Sequence, residues 1–458
     1  MRCSTLALKA AKWKCALSII TWVCVVYLLK AYAVNFNTVT ADVWMNLINS
    51  HGTYCKWNEN ILWSPDGQYV LHLCYENLDN KHDLMTAIPT IEESKIRKNG
   101  SSRHLRFEEL ASIPDAEWLA NFDRNVYQLY PQSIPIRDTL QALMNDKPIL
   151  QAPIFNPRIR FLKVPSSICS PLTAARVTDG IIFGSSHPNV VIIYKSAVYN
   201  FKERNQIRKL YYLSYTDVNI HLIFSIGLPR TSLGNVFQRD GFNVTLQSKA
   251  GQRLLEHSRF PSRAKTQLIR EMHKYNDLLV GDYEDSYFNL TLKQFHSFQW
   301  AARFCRPYKP TFVFLDDDFA VNTDKLVNFV RNKTPEQLES LNYGYKMNVN
   351  PVVRYPSEYP QWALSKREIP WPMHAPQYYG MYSLWSYRHV HDIALAMHFT
   401  KPLVLEDTWL GLVQHKLNLT FAKLIGMFSH NSLMSKQVRC SNIFFALISD
   451  LRLRHCIS

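Results

Sequence analysis

The segment TFVFLDDD, residues 311–318, decides both the fold and the place of the candidate site. Its first five residues are β-branched, aromatic or aliphatic, and they predict a buried strand over Thr311–Leu315. Asp316, Asp317 and Asp318 follow at once, and an open α/β sheet binds its ligands beyond the carboxyl ends of its strands. Because adjacent carboxylates repel one another, the cluster predicts a bound divalent cation. The alternative is an acidic loop before a helix over Thr323–Val330.

Segments of strand and helix character alternate on the N-terminal side of residues 311–318. The predicted elements are strands over Val190–Tyr194, Ile220–Ile226 and Asp277–Val280, and helices over Asn200–Tyr212, Arg263–Tyr275 and Leu290–Arg303. This alternation predicts an α/β domain with a mostly parallel sheet flanked by helices.

A second acidic pair, Glu406-Asp407, stands between the apolar run Pro402–Leu405 and a predicted helix over Trp409–Leu417. Two interpretations of Asp407 are open. A carboxylate near a helix N-terminus is commonly a cap. The same carboxylate, directed into a cleft, would act as a general base that removes a proton from a substrate hydroxyl.

The composition excludes several other classes of protein. Only 14 glycines are present, and neither of the common Gly-rich phosphate-binding motifs occurs. The formal net charge of +15 comes from scattered Lys and Arg, without a long basic run or zinc-finger spacing, so no nucleic-acid partner is predicted. The charge fits a basic protein that meets anionic small molecules and membranes.

The N-terminus has the pattern of a membrane anchor. Residues 1–14 carry four basic and no acidic residues, and residues 15–34 are mainly apolar and long enough to cross a bilayer. By the excess of positive charge on the N-terminal side, residues 1–14 are predicted to be a cytoplasmic tail and residues 15–34 a transmembrane signal-anchor, with the remainder luminal. The alternative is a cleaved signal peptide, because Ala31-Tyr32-Ala33 has the form of a cleavage site.

Two further features agree with a luminal location. Six cysteines follow residue 34 and permit three disulfides, whose pairing the sequence leaves open. Five Asn-x-Ser/Thr sequences are candidate glycosylation sites, at Asn99, Asn243, Asn289, Asn332 and Asn418.

Four blocks of sequence resemble the β-1,3-galactosyltransferase family, which includes β-1,3-N-acetylglucosaminyltransferases of the brainiac type. The blocks are VIIYKSA (191–197) followed by ERNQIR (203–208), GDYEDSYFNLTLK (281–293), DDDFAVN (316–322) and EDTWLG (406–411). The resemblance spans about residues 166–449. The resemblance implies a catalytic domain over 166–458, in a single-pass type II protein of the Golgi membrane. Residues 35–165, which it does not cover, mix aromatic and polar segments and are predicted to be a stem with a partly folded lobe.

The resemblance also implies a GT-A-like fold, a UDP-sugar donor, manganese and inversion at the anomeric carbon. By the same likeness Asp318 binds the metal, Asp316 and Asp317 serve the ribose and the metal-bound waters, and Asp407 is the base. Four more residues match positions near the donor: Arg204, Arg208, Asp282 and Asp285. For one of the arginines the alternative is a structural ion pair, and for the two carboxylates it is hydrogen bonding within the scaffold.

The sequence departs from the family pattern in two places. Where members often carry a metal-binding His after a late Cys, Cys440 is followed at that spacing by Ser449, and His430 or His455 would have to substitute. The segment QYYGMYS (377–383) resembles an acceptor-side Gly-rich loop but keeps only Gly380. The aromatic segment Trp362–Trp371 either stacks against sugar rings or packs in the core.

These observations lead to one main hypothesis. The chain is predicted to be an inverting β-1,3-hexosyltransferase that moves galactose, N-acetylglucosamine or a related hexose from a UDP-sugar to the glycan of a glycolipid or glycoprotein. The alternative is a non-catalytic relative that acts as a folding partner or glycan-binding protein. A metal-free hydrolase that uses two carboxylates has no other support in the sequence.

Overall fold

The structure is a computed structural model that describes only part of the chain: residues 59–63, 70–74, 91–92, 104–105, 107–115, 127, 130–132, 136–144, 152–169, 189–211, 217–247, 249–347, 350–428 and 443–449. The predicted tail and signal-anchor, Asn99, His430 and His455 lie outside these residues. Among the described helices, none is both long enough and apolar enough to span a membrane.

The strands of the described residues alternate with helices over most of the C-terminal half. In chain order they are Glu59–Trp63 (β1), Val70–Cys74 (β2), Ile91–Glu92 (β3), His104–Leu105 (β4), Phe161–Lys163 (β5), Val190–Lys195 (β6), Ile220–Leu228 (β7), Val236–Arg239 (β8), Phe242–Thr245 (β9), Leu278–Glu284 (β10), Thr311–Asp316 (β11), Phe319–Val321 (β12), Asn342–Met347 (β13), Gln377–Trp385 (β14) and Phe445–Leu447 (β15).

One seven-stranded sheet dominates, in the order β13-β14-β11-β6-β7-β10-β5. Its four central strands, β11, β6, β7 and β10, are parallel, and the flanking strands pair antiparallel. The central strands are covered on both faces, which explains why β6 reads as the unbroken apolar run VVIIY and is buried throughout. The prediction of an α/β domain around a mostly parallel sheet is confirmed.

Helices connect and cover these strands. They are Phe107–Leu110 (α1), Ile136–Met144 (α2), Phe201–Leu210 (α3), Lys249–Ser258 (α4), Pro261–Lys274 (α5), Leu290–Phe304 (α6), Thr323–Arg331 (α7), Pro335–Glu339 (α8), Tyr387–His398 (α9) and Glu406–Lys416 (α10), with 3-10 turns at Tyr287–Asn289 and Pro360–Trp362. The central helix α6 packs against β6, β7 and β10 and against α9, so nearly all of its residues are buried.

Residues 377–383 form part of a strand and not a loop. They belong to β14, which pairs with β11 on one side and with β13 on the other. The aromatic residues of QYYGMYSLW favour a strand, and most of them are buried. The interpretation of this segment as a loop rested on Gly380. A glycine is favoured here because the Glu406 side chain approaches the backbone closely: a Cβ at this position would lie 3.0 Å from Glu406 Oε1.

The region predicted to be a stem and partly folded lobe contributes to the same body as the sheet. Strand β5 forms an edge of the main sheet, and Phe107, Tyr127 and Tyr130 pack edge-to-face around the buried Trp371. A disulfide joins Cys169 to Cys305 and so ties the segment after β5 to the end of α6. A structural disulfide of this kind is typical of proteins that fold in an oxidising compartment.

Candidate active site

A cavity of about 580 Å³ lies at the carboxyl ends of β6, β10 and β11. Lys195, Asp285 and Asp316 bring the ends of these three strands into its wall. The remaining polar lining comes from the rest of the triple Asp, from α3 and α4, and from the segment after β15; it includes Asp317, Asp318, Glu203, Lys249, Arg253 and Ser449. The triple Asp therefore lies beyond the carboxyl end of β11, as the sequence predicted, and in the wall of a cavity.

Lys195 joins the two acidic blocks of the sequence. Its ammonium group is buried, and it donates to Gly380 O at 2.7 Å and forms ion pairs with Asp316 Oδ1 at 3.0 Å and Glu406 Oε1 at 3.1 Å. Three acceptors match the three donors of an ammonium group. The sequence analysis assigned Lys195 no role, although a Lys at the end of an otherwise apolar, buried strand was a usable signal.

The three adjacent aspartates have different surroundings. Asp317 accepts hydrogen bonds from Ser196 Oγ and Asn200 Nδ2, both at 2.7 Å. Burial raises the pKa of Asp316 to about 7, against the opposing effect of Lys195. Burial and the neighbouring Asp317 charge raise the pKa of Asp318. A carboxyl group with such surroundings is stabilised as an anion when a cation binds next to it.

The donor set fits a hard divalent cation that is shared with a phosphate ligand. Among the residues that the structure describes, no group of three or more His, Cys, Asp or Glu is assembled for a metal. Magnesium-type sites commonly use one or two carboxylates and complete their shell with substrate phosphates and water. Asp318 lines the cavity, and Ser449 lies in the same wall, at the spacing where the family pattern has its His.

Asp407 lies in the first turn of α10 and does not cap the helix, because the N-cap residue is Leu405. Its Oδ1 accepts a hydrogen bond from Thr408 N at 2.7 Å. Burial and then the charge of Glu406 raise the pKa of Asp407 to about 7, against Thr408 N–H and Lys195. Asp407 borders a small cavity of about 20 Å³, and Lys195 lines both this cavity and the large one.

Arg204 and Arg208 form structural ion pairs and do not line the cavity. Arg204 is fully buried; it binds both carboxylate oxygens of Glu271 and donates to Ala197 O at 2.7 Å and Val198 O at 3.1 Å. Arg208 binds Glu271 and Asp277. The structure thus favours the ion-pair alternative for both arginines, and Arg204 holds the backbone that enters the cavity wall at Ala197.

Replacing Arg204 with Met is expected to lower the free energy of unfolding by about 3–5 kcal/mol, because the Glu271 carboxylate would be left buried without its main partner. Chemical denaturation of the purified protein measures this. The control is Arg331→Met, since Arg331 forms an exposed pair with Asp217 and such pairs contribute about 0–1 kcal/mol. Equal losses in the two variants would contradict the structural role of Arg204.

The two aspartates of the block 281–293 hold the scaffold. Asp282 pairs with Arg160, with 2.6 Å between Asp282 Oδ2 and Arg160 Nη2, and does not line the cavity. Asp285 is buried at the cavity wall, where it accepts from Val198 N at 3.0 Å and Gly227 N at 2.8 Å and pairs with Lys293 at 2.9 Å. Both carboxylates therefore match the alternative of hydrogen bonding within the scaffold.

The candidate glycosylation sites within the described residues differ in how exposed they are. Asn243, Asn332 and Asn418 are exposed, as a glycan acceptor must be. In contrast, the Asn289 amide donates to Glu284 O at 2.9 Å, and the hydroxyl group of its sequon partner Thr291 is buried against Leu403 O.

The aromatic segment 362–371 also contains both a buried and an exposed tryptophan. Trp371 is a core residue, whereas Trp362 is 44% exposed and stacks on Tyr359.

Comparison with known proteins agrees with this site. The sequence model of the family described as "Galactosyltransferase" matches residues 259–424. Beta-1,3-galactosyltransferase 5 of Pan paniscus is 29% identical over 169 residues, which cover 36% of this chain and 53% of that protein. Lactosylceramide 1,3-N-acetyl-beta-D-glucosaminyltransferase of Rattus norvegicus is 23% identical over 241 residues, or 50% and 55% of the two chains.

A third relative is UDP-GlcNAc:betaGal beta-1,3-N-acetylglucosaminyltransferase 9 of Homo sapiens, which is 26% identical over 241 residues, covering 51% of this chain and 53% of that protein. The chain spans about half the length of each of these relatives. The matched segment begins before α5 and ends after α10, so it contains the triple Asp, Gly380 and Asp407. Residues 259–424 therefore match the galactosyltransferase family in sequence.

Proposed function

We propose that this protein is an inverting β-1,3-hexosyltransferase that transfers galactose or N-acetylglucosamine from a UDP-sugar to the glycan of a glycolipid or glycoprotein. The observation that carries the proposal is that Lys195 forms ion pairs with both Asp316 and Glu406. These two ion pairs hold the triple Asp and the Glu406-Asp407 block together. The first block lines a cavity of nucleotide size, and the second carries a carboxylate suited to act as a base. The relatives are named for galactosyl and N-acetylglucosaminyl transfer to β-linked acceptors or lactosylceramide.

Asp407 is the proposed general base. A base works best when its pKa lies near the working pH, and burial raises the pKa of Asp407 to about 7. In the ionised form its carboxylate takes the proton of the acceptor hydroxyl while that oxygen forms the new bond to the anomeric carbon. The bond from that carbon to the UDP oxygen breaks on the opposite face, so a single displacement gives a β linkage from an α-linked donor.

Asp318 is the proposed ligand of manganese, with Asp316 and Asp317 close enough in sequence to hold water molecules of its shell. When bound, the metal would neutralise negative charge on the departing diphosphate. Lys249 and Arg253 of α4 face the same cavity and add positive charge near this leaving group. Asp317 is held in place by Ser196 and Asn200, which fixes the start of the acidic turn. His430, the proposed substitute for the missing His, lies outside the described residues.

The protein is proposed to act in the Golgi as a single-pass type II membrane protein. The disulfide between Cys169 and Cys305 agrees with folding in an oxidising compartment. The basic residues 1–14 and the apolar residues 15–34 agree with an anchor whose N-terminus faces the cytoplasm.

UDP release by the full-length protein tests the proposal. The protein is purified in detergent from a secretory host and is supplied with each of UDP-galactose, UDP-N-acetylglucosamine, UDP-glucose and UDP-N-acetylgalactosamine, together with β-linked acceptors. We expect acceptor-dependent release with one donor, loss of that release in EDTA and its return with manganese. A folded protein that binds glycans but releases no UDP with any donor would instead support the non-catalytic alternative, which Ser449 at the His position favours.

A further inference from the structure

Gln294 is a buried amide with an unused donor. It lies in α6 and is only 4% exposed, and its Nε2 has no hydrogen-bond partner among the described residues. A buried donor without a partner is unfavourable, and it commonly marks a bound water molecule or a functional contact. The Gln294 amide is therefore a candidate to bind a water molecule or a group of the site.

The small cavity beside Asp407 is the space that Gln294 borders. Its volume of about 20 Å³ exceeds the roughly 10–15 Å³ that one water molecule requires. Part of the wall is apolar, from Phe298, Phe314 and Leu410, and part is polar, from Gln294, Asp407, Ser383 and Lys195. A cavity with several polar groups in its wall holds water, whereas a wholly apolar one stays dry.

The polar groups of this wall complement a single water molecule. The Lys195 ammonium group already serves Gly380 O, Asp316 and Glu406, so its three donors are used. Ser383 Oγ accepts from Trp385 Nε1 at 2.7 Å and retains a further acceptor position. Gln294 Nε2 remains as a donor for the water, and Ser383 Oγ and the Asp407 carboxylate remain as acceptors.

We propose that this cavity binds one water molecule that accepts a hydrogen bond from Gln294 Nε2 and donates one to the Asp407 carboxylate. Gln294 is then a positioning residue for the base. The inference rests on the proposed function, because it assigns Asp407 a proton to accept. A fixed donor holds the carboxylate in one rotamer and stabilises its ionised form.

The groups around Asp407 show in which direction its pKa should change when the water is lost. Glu406 on the same helix and Asp316 on β11 raise its pKa, whereas Lys195 on β6 lowers it, and the Tyr287 hydroxyl group also interacts with it. A water that donates to the carboxylate acts in the same direction as Lys195. Loss of that water therefore moves the acidic limb of the rate profile to higher pH.

The test is the full-length Gln294→Met variant, which keeps the side-chain length and removes the donor. With the active donor and acceptor, we expect the acidic limb of kcat to move up by about one pH unit, a tenfold change in the ionisation equilibrium. The rate at pH 6 should fall about tenfold, and KM for the UDP-sugar should stay unchanged. Gln294→Leu, which also lacks the donor, should move the limb in the same direction.

Gln299→Met is the matched control. Gln299 lies in the same helix, is equally buried and donates to Ala394 O at 2.7 Å, but it does not line the cavity. Its loss should lower stability without moving the pH limb. An unchanged limb in Gln294→Met would overturn the proposal.

A high-resolution crystal structure of the wild-type protein decides the case if the Gln294 variants do not fold. A solvent peak within hydrogen-bond distance of both Gln294 Nε2 and Asp407 supports the inference, and a cavity closed by side chains overturns it. A wild-type protein that turns over no donor would refute the proposed function, while the crystal structure would still test the water.

Discussion

The Asp407→Asn variant is expected to lose turnover by about 10²–10⁴-fold, the contribution typical of a general base. Asparagine keeps the shape of the side chain but cannot accept the proton of the acceptor hydroxyl. KM for the UDP-sugar should change little, because Asp407 does not line the large cavity that is proposed to bind the donor. Steady-state UDP release at saturating donor and acceptor measures both quantities.

The pH profile gives the same prediction a second test. A base whose pKa is raised to about 7 is half ionised near neutrality, so kcat should fall tenfold per pH unit below that value. Asp407→Asn should remove this limb along with most of the rate.

Asp282→Asn is the control, because Asp282 belongs to one of the four family-like blocks, 281–293, but pairs with Arg160 away from the cavity. It should keep nearly full turnover and the acidic limb. A normal rate in Asp407→Asn, or an equal loss in both variants, would remove Asp407 from the role of base.

The parts of the fold that the sequence predicts are those with a local signal. The strand at residues 311–316 is an apolar run followed by charge, and the helix over residues 290–304 is a long segment of helix-forming residues bounded by a turn. The strand β14 was missed because Gly380 suggested a loop. This glycine is instead explained by its close approach to Glu406, which is distant in sequence. No local pattern contains that information.

The same distinction separates the site residues. The triple Asp and Asp407 stand out because each acidic block directly follows an apolar segment of the sequence. The position of the Arg204 side chain depends on its ion pair with Glu271, which is 67 residues away in the sequence. The position of the Lys195 side chain depends on Glu406, which is 211 residues away. The family likeness places the triple Asp and Arg204 near the donor, but only the packed structure shows that the triple Asp lines the cavity whereas Arg204 holds the backbone of its wall.

The Lys195→Met variant is expected to lose both stability and activity. Burial opposes the charge of Lys195, but Asp316 and Glu406 outweigh this effect and raise its pKa, so the group is a cation in the native state. Removing it leaves the buried Glu406 carboxylate and the partly exposed Asp316 carboxylate without a compensating charge, which costs about 3 kcal/mol of unfolding free energy. Turnover should fall about 10²-fold, the size of effect that a displacement of about 1 Å at a reacting centre produces.

Two further variants separate the charge effect from a general loss of packing. Lys346→Met, on the exposed face of β13, should change stability by less than about 0.5 kcal/mol. The double variant Lys195→Met/Glu406→Gln removes a cation and one of its anions together, so it should recover much of the stability lost in Lys195→Met. Its turnover should stay low, because the ion pair between the end of β6 and the start of α10 is then absent. If Lys195→Met instead kept wild-type stability and turnover, the two acidic blocks would be positioned without Lys195, and the observation on which the proposed function rests would lose its significance.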